Sequence, residues 1–350
     1  MSKKIENMVI LYADAGDRLL ELLQQMEEGS WSWRRAAELL RQVDEIINEL
    51  TQRAGDQMAD ILGDSYMLGV RGAVEGIVAA GVAAGTLNAS IRPIIHQQAV
   101  QSIMDESFYS ILEASDNMSA DAKQRITDAV RRANERSLVD GISRRKATKD
   151  AVRSLSERQI TGIITKSGAK VPADKYMAGV VQYHQRKAHV TGAENMIVQN
   201  GLDLVYVNYV GITCGYCATM QGRVYSISGN DPRFPKLEQR PPYHAHCVHS
   251  VSAWIEEYTE PEEVSRMLEL SNRPFNDNRT AHAKQRYEQL QRDKSRKNAT
   301  RNQWIRYKAL LPDDTPSLRQ FASHKARGTA KYKELQDLYR DANRQIKDTH

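Results

Sequence analysis

Between Cys214 and His249 the chain gathers all three of its cysteines and a cluster of three histidines, His244, His246 and His249. The first pair stands in T-C-G-Y-C, and the rest in P-P-Y-H-A-H-C-V-H-S. A C-x-x-C step lets the chain turn back over one ion, and a later group of soft ligands can close the shell. Thiolate and imidazole suit zinc, whereas calcium and magnesium prefer oxygen. The spacing therefore points to Zn²⁺ held by Cys214, Cys217 and Cys247. His249 is the first choice for the fourth ligand and His244 the alternative. Four protein ligands would make the site structural, with no position left for a reacting water. Two other chemistries stay open: a Cys214–Cys217 disulfide that leaves Cys247 free, or three buried thiols. The odd cysteine count, and an N-terminus M-S-K-K-I-E-N with no apolar core behind it, argue against a secreted disulfide framework.

These residues need a frame. Leu202 to Val210 is rich in β-branched and aromatic residues and predicts a strand leading straight into the C-x-x-C. Arg223–Ile227 and Ser250–Trp254 predict two more short strands, so the cysteines sit at the turns of a small sheet. Pro172 opens a helix expected over Ala173–Gln199, with Asn200-Gly201 at its end. The expected class is mainly α with a small α+β module: a helical N-terminal region (1–143), the Cys/His module (144–260) and a basic helical tail (261–350).

Upstream, Ser32 can cap a helix with its stripe at Ala36, Leu40, Val43, Ile47 and Leu50. Further helices are expected over Ile61–Gly85, Ile94–Ala114, Ala120–Leu138 and Ala147–Leu155, with breaks at Arg92-Pro93 and Asp140-Gly141. Tyr66–Leu87 is the most apolar stretch, but Arg71 and Glu75 interrupt it. It reads as a packing helix or helix pair whose Gly72/Gly76 and Gly81/Gly85 spacing permits close approach, not as a membrane span. Downstream, long charged helices are expected over Thr280–Tyr307 and Thr329–Ile346.

The net charge of the 350 residues is +5, unevenly placed. Arg273–His350 carries 19 Lys and Arg against 9 Asp and Glu, leaving 30 against 35 in residues 1–272. Arg292, Lys294, Arg296, Lys297 and Arg301 are the candidate contacts to nucleic-acid phosphate, a sequence-independent and salt-sensitive interaction.

The central block resembles the tailed-phage minor capsid protein 2 family, which is related to the Mu F-like head morphogenesis proteins. The family's G-x-D-x-V strand falls on Gly201, Asp203 and Val205. Its C-x-x-C falls on Cys214 and Cys217, its Q-G-K-V-Y-S-I strand on Gln221–Ile227, and its P-N-C-x-H-S ending on Cys247, His249 and Ser250. The preceding helix, with Tyr183 and Arg186, resembles the family's Y-x-x-x-x-R-T helix, although two residues rather than four separate the pair here and Lys187 replaces the threonine. Ala245-His246 replaces the usual Pro-Asn. The resemblance implies a low-copy structural protein of the virion, inside the head near the portal after assembly in the host cytoplasm. The partners it implies are the portal protein, the major capsid protein and packaged double-stranded DNA, with a role in packaging or ejection and no membrane around the assembled head. An enzyme is not expected. The alternative is a zinc-dependent HNH-like nuclease using His244, His246 and Asn230, which would need an open metal position and an activating base.

Overall fold

The computed structural model describes residues 3–27, 33–88, 93–139, 144–156, 158–311 and 313–347. Along the chain run α1 (Lys3–Gln24), α2 (Trp33–Ala79), α3 (Pro93–Val139), α4 (Arg144–Ser156), β1 (Thr161–Ile164) and β2 (Lys170–Pro172). Then come α5 (Ala173–Gln199), β3 (Leu204–Val207), α6 (Gly215–Met220), β4 (Arg223–Ser226) and β5 (Val251–Ala253). The chain ends in α7 (Pro261–Asn272), α8 (Ala281–Leu310), α9 (Leu318–Arg327) and α10 (Ala330–Lys347). The mainly helical class with a small sheet beside the cysteines is the observed one. Among the described residues no helix is long and apolar enough to cross a membrane.

Two pairs of expected helices are single helices. The buried stripe of α2 begins at Ala36, Leu39, Val43, Ile47 and Leu50 and continues without a break through Ala54, Met58, Leu62, Tyr66, Val70, Ala73 and Ile77. Leu39 takes the core position expected for Leu40. Gly55 and Gly63 weaken such a helix by about 1 kcal/mol each, but no proline stops it. In α3 the stripe likewise runs through Ile111, Ala114, Met118, Ala122 and Ile126, across the expected gap. Ser32, Arg92 and Asp140-Gly141 lie outside the described residues.

The chain folds into two compact units, each drawn from three stretches. The first takes Met1–Met8, Arg53–Ile111 and Met177–Gln289; the second takes Val9–Gln52, Leu112–Tyr176 and Leu290–His350. The division at 143/144 and 260/261 follows sequence character, whereas helices α1, α2, α3, α5 and α8 each pass from one unit into the other.

In the first unit α2 and α5 meet backbone to backbone. A Cβ at Gly69 would stand 1.9 Å from the His189 carbonyl oxygen, and one at Gly192 would stand 2.3 Å from that of Tyr66. The close approach is therefore at Gly69, while Gly72, Gly76 and Gly85 face open space. Beside the crossing, the Tyr66 hydroxyl accepts from Asn195 Nδ2 at 2.7 Å and lies 2.7 Å from His96 Nδ1. Gly69→Ala should force the helices apart and cost about 3 kcal/mol in a urea melt, whereas Gly72→Ala should be neutral or better.

The second unit contains the β1–β2 hairpin, which the sequence reading did not anticipate, and a buried ion pair that holds it. Arg125 Nη2 binds Asp121 at 2.8 Å, and the same guanidinium donates to the Leu155, Arg158 and Gln159 carbonyls at 2.6–2.9 Å. Asp121 also accepts the Thr161 amide at 2.8 Å, tying β1 to α3. Burial pushes the Asp121 carboxyl up, but hydrogen bonds and charge from Arg125, with the Thr161 amide, outweigh it and leave the pKa below its ordinary value. A carboxyl depressed in the folded state stabilises the fold above its unfolded pKa, and that contribution drains away as pH falls through the folded pKa. Asp121→Asn should cost about 3 kcal/mol at pH 7 and much less near pH 2, as read from urea melts at both pH values. The C-terminal helices have a core of their own in this unit, where Tyr307, Phe321, Tyr332 and Leu335 pack under Trp304 and Tyr339.

Candidate metal centre

The three-stranded sheet has the order β4-β3-β5, with both neighbours antiparallel to β3. One end of the sheet is therefore where β3 exits and where β4 and β5 enter. Cys214 and Cys217 follow β3, Gln221 precedes β4, and Cys247 and His249 precede β5. Antiparallel topology brings together residues that are remote in sequence.

Local structure sets each ligand. Cys214 is the N-cap of α6, and its Sγ accepts the Cys217 amide at 3.3 Å. That turn carries Cys217 under the helix, fully buried. Gly222, at φ 70°, lets the chain reverse from α6 into β4. The Asn208 amide donates to the Ser250 carbonyl at 3.2 Å, and the Ser250 amide donates to Asn208 Oδ1 at 2.8 Å. This extends the β3–β5 contact to Ser250, the neighbour of His249.

Two ligand trios result, Cys214/Cys217/His244 and Cys217/Cys247/His249, each with its donor atoms within 4.8 Å of one another. They share Cys217. Cys217 Sγ lies 4.0 Å from Cys247 Sγ and 3.2 Å from His244 Nε2. Cys214 Sγ is 3.5 Å from His244 Nε2, and Cys247 Sγ is 3.4 Å from His249 Nδ1. A tetrahedral zinc with ordinary bond lengths sets sulfur–sulfur edges of about 3.8 Å and sulfur–nitrogen edges of about 3.5 Å. The five residues are thus close enough to hold a metal, and their donor set fits one. All three cysteines are free thiols. Within the buried pair, the hydrogen bond to Cys247 and then burial push the Cys217 thiol up, and the same bond pushes Cys247 down.

The histidines differ in what their second nitrogen meets. His249 is fully buried, and its Nε2 lies 3.0 Å from Gln221 Oε1, which also accepts the Val210 amide at 3.0 Å. His244 is exposed, and its Nδ1 accepts the His246 amide at 3.3 Å. His246 turns away, with its Nδ1 3.1 Å from Gln182 Oε1.

The remaining motif residues brace the module. The Asp203 carboxylate accepts from the Ser226 hydroxyl and, at 2.8 Å, from the Ser228 amide, closing the far end of β4. Arg279, clamped by Asp277, donates to the Thr213 carbonyl at 2.7 Å just before Cys214. Arg223, fully buried, gives its guanidinium to backbone carbonyls at the end of α7. Val224, Phe234 and Met267 form the core between α7 and the sheet. Arg279 escapes sequence reading, because its partner is a main-chain oxygen with no side-chain signature.

The profile described as Phage minor capsid protein 2 matches residues 1–310. The chain belongs to that family. Neither a curated protein nor a solved structure matches it. Membership in a phage capsid family implies a virion location. In this minor capsid protein the three residues of the nuclease alternative do not converge. Asn230 lies past the C-terminal end of β4, opposite the cysteines, and His246 binds Gln182. Lys187 pairs with Glu106.

The basic candidates lie on the α8 stretch of the second unit. Arg292, Lys294, Arg296 and Lys297 are exposed, and Arg296 pairs with Asp293. Arg301 is bound at 2.6 Å to buried Asp174. At 100° per residue, Arg292 and Arg296 share one face while Lys294, Lys297 and Arg301 share another, so the five do not form a single stripe.

Proposed function

We propose that this protein is a non-enzymatic, low-copy component of the phage head at the portal vertex, and that its Cys/His module is closed by one structural zinc. Family membership across residues 1–310 supports the head role. The observation that carries the structural reading is that the polar motif residues of the module are already committed to its own structure. Gln221 orients His249 and fixes the loop after β3, while Asp203 closes the turn at the far end of β4. A hydrolytic site needs a free base and an open metal position, and a shell of three cysteines and one histidine leaves neither.

The zinc ligands in this reading are Cys214, Cys217, Cys247 and His249. Gln221 Oε1 can only accept, so neutral His249 carries its proton on Nε2 and turns the Nδ1 lone pair toward Cys247. Such an outer partner is how metal-bound imidazoles are commonly oriented. In His244 the hydrogen bond received at Nδ1 leaves the proton on Nε2, the atom that faces the sulfurs. His244 then serves as a hydrogen-bond donor to the thiolates. Zinc supplies cross-linking to a module whose strands are only three or four residues long, and no reaction.

Exposed Lys and Arg on α8 offer non-specific contact to packaged DNA, weakening with salt. The test is cross-linking mass spectrometry on purified virions with copy-number quantification. Cross-links to the portal protein at a copy number near that of the portal support this reading. A copy number matching the major capsid protein, or links only to tail proteins, refutes it.

A further inference from the structure

The second unit holds an open cavity of about 400 Å³, lined by none of the residues that carry the family resemblance. Its floor holds two buried polar atoms, Ser156 Oγ and Gln159 Oε1, that have no hydrogen-bond partner. Ser156 is only 5% exposed. Leaving such groups unpaired costs about 1–3 kcal/mol each; Gln159 Oε1 can only accept and Ser156 Oγ can accept as well as donate, so a guest with N–H donors satisfies both. The charge on the floor is already balanced, because buried Asp174 holds Arg301 at 2.6 Å.

The mouth has a different character. Asp17 and Glu21, one turn apart on α1, and Lys308 are exposed lining residues. Burial, and after it the carboxylates of Asp14, Glu21 and Asp174, raise the Asp17 carboxyl above its ordinary pKa against a smaller lowering by Arg301, and a further cation would relieve the repulsive part. Half-buried Leu20, Trp304 and Ile305 give the lining an apolar part.

An anion would meet Asp17 and Glu21 at the entrance, and a purely apolar guest would seal the orphaned floor atoms. A cation without N–H bonds would leave them unpaired. We infer that this cavity receives a guanidinium or primary ammonium group on an aliphatic stem, with the stem against Leu20 and Trp304 and the N–H donors on Ser156 Oγ and Gln159 Oε1. Two sources carry that chemistry: an arginine or lysine side chain of a partner chain, and a free polyamine. The inference is independent of the zinc module, which lies in the other unit.

The test is calorimetric titration of the full-length protein at low ionic strength with argininamide, spermidine and tetramethylammonium. One-site binding of argininamide or spermidine, with none of tetramethylammonium, is expected. Asp17→Asn should weaken binding about tenfold, and Gln159→Leu, which keeps every charge, should weaken it similarly. Asp337→Asn, in an exposed pair with Arg340, should change nothing. Tighter argininamide assigns the site to a protein side chain, and tighter spermidine assigns it to a polyamine. Absence of saturable binding by both probes, equal binding of tetramethylammonium, or unchanged affinity in both cavity variants overturns the inference.

Discussion

Cys217→Ser should remove zinc from the purified protein altogether and unfold the sheet end of the first unit. Cys217 is the one residue common to both ligand trios and is fully buried, so no rearrangement of the others replaces it. With metal bound, the wild type should hold one zinc per chain by elemental mass spectrometry. Structural zinc is worth on the order of 10 kcal/mol to small modules, so losing it should lower the stability of this region by more than about 3 kcal/mol. Hydrogen exchange should rise over residues 208–222 and 241–253 while the second unit stays protected. If the thiols are only buried, the same substitution exchanges sulfur for oxygen in a packed site. The loss would then be about 1–2 kcal/mol, with no metal in either protein. Chelator separates the two cases, since it should reproduce the variant only if zinc is present.

The histidines sharpen the same experiment. His249→Ala should behave like Cys217→Ser. His244→Ala should keep its zinc, because it removes an exposed hydrogen-bond donor and not a lone pair aimed at the ion. Gln221→Leu should lower zinc affinity by about 10- to 100-fold while leaving all four ligands in place, as expected when an orienting partner is lost. Zinc retained in His249→Ala and lost in His244→Ala would reverse the assignment.

The ligand types were legible in the sequence because spacing alone carries them: a C-x-x-C and a C-x-H flanking two short β-branched runs. The helix Ala173–Gln199 was equally legible, with Pro172 before it and Asn200-Gly201 after it. The choice between His244 and His249 was not, because two identical side chains differ only in which oxygen or amide meets the second nitrogen. The continuity of α2 and α3 was hidden by local glycine and serine, whose modest helix cost is outweighed by an unbroken buried stripe. The β1–β2 hairpin was hidden because β2 is three residues ending in proline, and α9 because it is short and strongly polar. The two interleaved units follow from long helices that cross between them, and composition along the chain gives no sign of that.

Arg223 shows the same limit most sharply, and it should be the costliest single truncation outside the ligands. A positive residue at the start of a strand reads as an exposed edge charge, yet Arg223 is fully buried and, among the described residues, forms no ion pair with a carboxylate. Its Nε donates to Thr219 O at 2.9 Å. Its Nη atoms donate to Ser271 O at 2.8 Å, Arg273 O at 2.6 Å and Pro274 O at 2.9 Å, and the guanidinium stands 4.0 Å above the Phe275 ring. The Ser271, Arg273 and Pro274 carbonyls lie in and just past the last turn of α7, where main-chain oxygens lack helical partners and the helix dipole is negative. The guanidinium is therefore the cap of α7 and the pin that fixes it to β4, beside the Val224 amide bonded to Ser271 Oγ at 2.9 Å. Arg223→Met keeps the stem and strands several buried carbonyls, so it should cost about 3–5 kcal/mol in a urea melt. Arg223→Lys keeps the charge and offers three donors from one nitrogen, too compact to span oxygens bound from Nε, Nη1 and Nη2, and should recover less than half of that loss. In both variants hydrogen exchange should rise first at residues 268–276. A loss below about 1 kcal/mol in Arg223→Met would mean that α7 is held by the Val224, Phe234 and Met267 core alone.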